Sequence, residues 1–162
     1  MDNPAPERHL KARRARRVRA FSLLELVATL AIIALLAATG IATFGTTSVQ
    51  NLAAEGFSRK LALDLLQARR RTIATGANHY LQLTVVASKT TAYTMYRRAG
   101  GGDVVVDKTQ SVPDGVTVTA SHTTLEFDFE GAALAAYSIA VAGPQRSWTV
   151  TTTPITGAVH VQ

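Results

Sequence analysis

The chain has 162 residues, 47% of them hydrophobic, no cysteine, and a formal net charge of +6. Without cysteine it has no disulfides, no thiol catalysis, no cysteine-ligated zinc and no iron–sulfur chemistry, so an exported domain must be held by its core alone. The charge is not a nucleic-acid signature: Met1 to Ala20 carries seven basic and two acidic side chains, +5 of the total, and the rest nets only +1.

Residues 1–20 form a basic leader, in which Pro4 and Pro6 discourage an early helix. The apolar run that follows starts at Phe21, holds one charge at Glu25, and has no ionisable side chain from Leu26 to Ala54. As a helix, Phe21 to Phe44 would be about 36 Å long, against about 30 Å of bilayer hydrocarbon. Arginines on one flank only predict a single pass, with the amino terminus cytoplasmic and the remainder outside. A conventional signal peptide, cut near Gly40-Ile41-Ala42, competes for the same stretch. Against it, the run is longer than the usual apolar core of about 7–15 residues and contains Glu25. The pairs Arg13-Arg14 and Arg16-Arg17 also hint at twin-arginine export.

Residues 21–48 are thus expected to be a membrane helix, loosened or bent near its exit by Gly40, Gly45 and the threonines Thr43, Thr46 and Thr47. Residues 49–77 resume a helical period. Phe57, Leu61, Leu65, Ala68 and Thr72 form one stripe, with Arg59, Lys60, Gln67, Arg70 and Arg71 largely off it. The arginines at 69–71 would occupy a solvated last turn, favoured by the helix dipole, and Gly76 would cap the carboxy terminus.

From residue 78 the pattern is β. Eight short runs are expected as strands: residues 79–87, 91–97, 104–108, 116–120, 124–129, 137–142, 147–153 and 158–161. Turn signals separate most of them, among them Gly100-Gly101-Gly102, Pro113-Asp114-Gly115 and Gly143-Pro144. The fold class that follows is α+β, a long amino-terminal helix, membrane and amphipathic, packed on an antiparallel β-sandwich head at residues 78–162.

The stretch FSLLELVATLAIIALLAATGIA resembles the amino-terminal motif of type IV pilins and type II secretion pseudopilins. The resemblance implies cleavage by a prepilin peptidase between Ala20 and Phe21, N-methylation of Phe21, and a role for Glu25, the fifth mature residue, in assembly. One departure is Ala20, where the family usually has Gly. After such a cut the Phe21 amine lies one turn from Glu25, so its own amine or a neighbouring subunit's would neutralise the carboxylate. Three later segments, QARRRTIATGANHYLQL, FDFEGAAL and TGAVHV, are similar in order to the H-type minor pseudopilins and related minor pilins. The absence of a carboxy-terminal disulfide loop leans towards the pseudopilins.

Catalytic chemistry is not evident. His9, His79, His122 and His160 are scattered. Asp103 and Asp107 share strand parity, as do Glu126, Asp128 and Glu130. A metal site is one reading of the latter three; the reading adopted is a solvent-facing row opposite Leu125, Phe127 and Phe129. Gly100 to Gly102 opens no helix and reads as a hairpin turn. Tyr93, Tyr96, Arg97 and Arg98 offer an aromatic–basic surface, but the tyrosines have opposite strand parity. The expectation is a non-enzyme without cofactor or metal: a minor pseudopilin, a filament subunit of a type II secretion system. Its place would be the bacterial inner membrane, with the head in the periplasm. Its partners would be a prepilin peptidase, other pseudopilins or pilins and secreted cargo, with no nucleic acid. The alternatives are a minor pilin of a type IV pilus or DNA-uptake machine, and a secreted β domain.

Overall fold

The computed structural model describes residues 22–162, so the leader, Ala20 and Phe21 lie outside it. By internal contacts the chain divides into two compact units, Met1–Thr39 and Gly40–Gln162. A helix, α1 (Leu23–Thr75), precedes nine strands. These are β1 (His79–Val86), β2 (Lys89–Arg97), β3 (Val104–Val105), β4 (Gln110–Ser111), β5 (Thr117–Ala120), β6 (Thr124–Phe127), β7 (Ser138–Ala142), β8 (Ser147–Thr152) and β9 (Val159–Val161).

The helical backbone runs through Gly40 and Gly45, so the loosened exit expected there is not observed. Two glycines cost about 1 kcal/mol each relative to alanine, and the leucine- and alanine-rich turns at 35–38 and 52–54 carry the helix across them. The helix also extends past Arg71, and its last turn holds no basic residue. Gly76, at φ +65°, ends it as expected, donating its N–H to the Thr72 carbonyl at 2.9 Å. Thr72 then directs the chain into the sheet: its hydroxyl donates to the Ala68 carbonyl (2.9 Å) and accepts the His79 N–H (3.0 Å).

Both sheets are antiparallel. One runs β3-β2-β1-β6, with β4 also on β2; the other runs β5-β7-β8-β9. A single bridge, Phe127 to Ala133, continues the outer edge of β6. Pairing of Leu81 with Met95 and Leu125, and of Leu83 with Tyr93, gathers those side chains on one face. Val118 opposite Val141, and Ile139 opposite Val150, do the same in the second sheet. Ala54, Phe57, Leu61, Leu65 and Ala68 of α1 complete this core. The Phe57 ring meets Tyr93 edge-on, centroids 5.7 Å apart. Burying each such leucine contributes about 1.5–3 kcal/mol. One charge is built in: buried Asp64 accepts the Tyr93 hydroxyl at 2.7 Å and pairs with Lys60 at 3.1 Å.

Several strand boundaries differ from the sequence expectation. β3 stops at Val105, and β4, with two polar residues, carries no β signal of its own. β6 stops at Phe127, because the Asp128 side chain accepts the backbone N–H groups of Glu130 (3.1 Å) and Ala132 (2.9 Å) and turns the chain. Alternation therefore fails beyond Phe127. Phe127 is fully buried and Phe129 is 60% exposed. Glu126 is buried, which overturns the solvent-facing row. We expect Phe127→Ala to destabilise the head by about 3–5 kcal/mol, and Phe129→Ala by about 0.5 kcal/mol or less, as read by urea unfolding.

Candidate functional site

Functional side chains gather at three places: the start of α1, the far end of the helix against the sheets, and an ionic cluster on the opposite face of the first sheet. At the start, Ser22 caps the helix. Its hydroxyl accepts the Glu25 N–H (3.2 Å), and its carbonyl accepts the Glu25 and Leu26 N–H groups, both at 3.1 Å. Glu25 is the acid of the first turn, where the dipole favours a negative charge. The sequence signal for this start is Ser-x-x-Glu, half of a capping box, which lies inside the amino-terminal motif.

From Leu23 to Leu36 every large apolar side chain is more than half exposed. By length and composition this part of α1 suffices to cross a membrane. Its hydroxyls suit an apolar medium: Thr29 bonds back to the Leu26 carbonyl (2.9 Å) and Thr39 to the Leu36 carbonyl (2.9 Å).

At the far end of the helix, Arg69 is drawn inward. Its Nε donates to the Gly131 carbonyl at 2.9 Å, across 62 residues of sequence. Gly131 (φ +85°) lies so close to α1 that a Cβ there would sit 2.7 Å from Ile73 Cδ1. Gly157 (φ +60°) lies against both the Gly131 carbonyl and the Arg69 side chain. Helix, β6–β7 connection and β8–β9 connection are thus clasped at one point. The clasp draws one residue from each of QARRRTIATGANHYLQL, FDFEGAAL and TGAVHV. Arg69 is accordingly no member of a solvated helix end.

On the outer face of the first sheet, Arg98 joins two carboxylates, with nitrogen–oxygen distances of 2.8 Å to Glu126 and 2.7 Å to Asp103. The Tyr80 hydroxyl donates to Asp103 (2.7 Å), and Asn78 donates to Glu126 (3.0 Å). The guanidinium lies 4.3 Å over the Tyr80 ring, and Tyr80 stacks on Tyr96 at 5.3 Å. Burial is the largest influence on Glu126 and would raise its pKa. The hydrogen bonds from Arg98 and Asn78, with the Arg98 charge, outweigh it and hold the carboxyl below its usual value. Burial, then the hydrogen bond to Asp103, pushes the Tyr80 phenol up to about 12, so it remains a donor.

This cluster absorbs several residues singled out in the sequence. Tyr96 and Arg98 belong to it, whereas Tyr93 is in the core. Asp107 accepts only the neighbouring Lys108 N–H among the hydrogen bonds of the described residues. Glu126, Asp128 and Glu130 do not converge, and among the described residues no group of three His, Cys, Asp or Glu side chains could hold a metal ion. His79 is buried, with Nδ1 2.8 Å from the Ala77 carbonyl; burial lowers its pKa. His122 and His160 are exposed, and His9 lies outside the described residues.

Residues 15–41 match the family model of the prokaryotic N-terminal methylation motif. No curated protein sequence matches the chain. Among solved structures, the minor pseudopilin EpsH from the type 2 secretion system of Vibrio cholerae is similar with a TM-score of 0.58 at 13% identity, over 67% of this chain and 95% of its own. The type IV minor pilin FimU of Pseudomonas aeruginosa gives a TM-score of 0.56 at 13% identity, over 74% of this chain and 92% of its own. At such identity the likeness is one of fold. The motif and this α+β architecture together are pilin-like.

Two outcomes follow from the geometry. Gly157→Ala should destabilise the head by about 1–3 kcal/mol, from left-handed backbone strain alone, with more from the clash; Gly101→Ala, at an unstrained φ and with open space for the added Cβ, is the comparison. A depressed Glu126 pKa contributes stability that is present above its unfolded value, about 4.3, and is lost as pH falls through the folded value. Arg98→Met should cost about 1–3 kcal/mol at neutral pH. It leaves Glu126 buried without the guanidinium, so its difference from the parent should narrow below about pH 4 in urea titrations.

Proposed function

We infer that this pilin-like chain, with its prepilin-type methylation motif, serves as a minor pseudopilin, a structural subunit of the periplasmic filament of a type II protein secretion system. The observation that carries the inference is the joint occurrence of the motif at residues 15–41 and a head whose fold is shared over 95% of EpsH. On this reading residues 1–20 are removed by a prepilin peptidase between Ala20 and Phe21, and the new amine is methylated. The helix of residues 21–48 anchors the protein in the inner membrane and then packs among other pseudopilins, while the residues from 49 onward work in the periplasm. The work is done by shape and contact, with no catalytic step.

Glu25 takes two roles in this reading. In the membrane-inserted subunit it is the favoured acid of a capped helix terminus, near the boundary where a carboxylate costs less than the 2–3 kcal/mol or so of mid-bilayer. In the filament it receives the Phe21 amine of a neighbouring subunit, and the two charges are removed from the apolar bundle together.

The likeness to FimU, which extends over 74% of this chain, favours a second reading as a minor pilin of a type IV pilus or DNA-uptake machine. Deletion of the gene separates the two. Loss of secreted enzyme from the medium, with surface pili and DNA uptake intact, is expected; the reverse result moves the protein to the second reading. Intact mass and amino-terminal sequencing should find a methylated chain beginning at Phe21. A chain beginning near Thr43 would instead mark an ordinary signal peptide and remove the filament role.

Glu25→Ala should leave the unfolding of the head unchanged within about 0.5 kcal/mol and should still insert into the membrane. Crosslinking to other pseudopilins and secretion should both be lost. Normal crosslinking and secretion by this variant would reduce Glu25 to a helix cap.

A further inference from the structure

An open cavity of about 320 Å³ lies between the Ser48–Glu55 stretch of α1 and the β7–β8 turn. Ser48, Asn51 and Glu55 form the helical wall; Gln145, Arg146 and Trp148 form the other. The turn is drawn tight by a hydrogen bond from the Gly143 N–H to the Arg146 carbonyl (2.8 Å) and tied to the helix by one from the Gln145 N–H to Asn51 Oδ1 (3.2 Å). Gly143 is needed for this approach, since a Cβ there would lie 2.6 Å from Asn51 Oδ1.

The wall is rich in unused donors. Arg146 has no carboxylate partner among the described residues, and the amide nitrogen of Asn51 has no hydrogen-bond partner among them. The one carboxylate present, Glu55, is already neutralised by Arg59 at 2.6 Å. Trp148 is the chain's single tryptophan and is half-buried. Leu52 and Val49, on the adjoining helical turns, are 69% and 67% exposed.

The position along the chain selects the ligand. A hydrocarbon layer of about 30 Å takes about 20 helical residues. Counted from Leu26, the first residue after Glu25, that length ends at Gly45. Ser48 to Leu52 then falls in the headgroup layer, the depth where tryptophan is enriched and where exposed leucine and valine have apolar surroundings within reach. A guanidinium without a partner at that level meets phosphate, which it binds through paired N–H donors.

We propose that this groove seats the phosphate of an anionic phospholipid headgroup, with Arg146 and Asn51 as donors and Trp148 on the glycerol level, fixing the head to the membrane surface before assembly. The proposal rests on the membrane-anchored reading above. It makes the β7–β8 turn a lipid-recognition element, independent of Glu25 and of the filament contacts.

The test uses the full chain in vesicles of phosphatidylcholine, alone or mixed with phosphatidylglycerol, and the fluorescence of Trp148. Lipids carrying a nitroxide on the headgroup should quench Trp148 more than lipids carrying it at mid-chain, and more so with phosphatidylglycerol present. Arg146→Ala should lower the docked-to-undocked ratio in the mixed vesicles about fivefold, the worth of one basic side chain at an anionic surface. Arg146→Lys should restore most of it. Equal quenching of the parent and Arg146→Ala, or no headgroup quenching at all, would overturn the proposal. A fluorophore on Leu30→Cys, read against mid-chain nitroxide, separates the two possible failures. If it is quenched while Trp148 is not, the headgroup seat alone falls. If neither is quenched, the anchoring falls and takes the seat with it.

Discussion

Everything in the head depends on one need: two small antiparallel sheets, each with one apolar face, require a common cover. The stripe Phe57, Leu61, Leu65 and Ala68 supplies it, and Leu81, Leu83, Leu125, Ile139 and Val150 meet it from the two sheets. Neither sheet could stay folded with that face in water. The helix also supplies the buried Asp64 that accepts the Tyr93 hydroxyl, so the cover has one polar pin and cannot slide freely along its apolar contacts. A carboxylate placed so deep is costly unless satisfied, and Lys60 and Tyr93 both reach it.

Where the sequence was legible, a periodic signal spoke for a whole element. The helical stripe was readable because five positions at helical spacing are all apolar or small, and the structure buries all five. The strands β1, β2, β7 and β8 were readable from β-branched and aromatic runs. What escaped was decided by partners distant in sequence. β4 is strand because Gln110 and Ser111 lie opposite Tyr93 and Ala92. The β1–β2 hairpin turns through Ala87 (φ 48°) and Ser88 (φ 63°), neither of them a usual residue for that conformation. Pairing on both sides imposes it, and no local turn signal marks it. Glu126 misled because an acid in alternation reads as solvent-facing, and only the arrival of Arg98 and Asn78 makes its burial tolerable.

The candidate sites divide in the same way. The amino-terminal motif is contiguous and could be read letter by letter, although Ala20 and Phe21 themselves lie outside the described residues. The Arg69–Gly131–Gly157 clasp could not be, since its members are 62 and 26 residues apart and each belongs to a loosely patterned segment. Their order along the chain was the only trace of their meeting. The groove at Arg146 left no trace at all, because a lone arginine in a Gly-Pro turn is indistinguishable from any solvated loop.

The clasp bears on the order of events when such a chain is made. Synthesis delivers the helix with Arg69 well before its partners, since Gly131 lies 62 residues further along the chain and Gly157 another 26. Until the segment carrying β8, Gly157 and β9 has emerged, Arg69 has only part of its seat and the core lacks Val150. Contacts so far apart in sequence close late and slowly. The head therefore stays open until that segment arrives. During that interval the chain is vulnerable to proteases and available to chaperones, with the stripe of α1 covered from the first sheet and only part of the second.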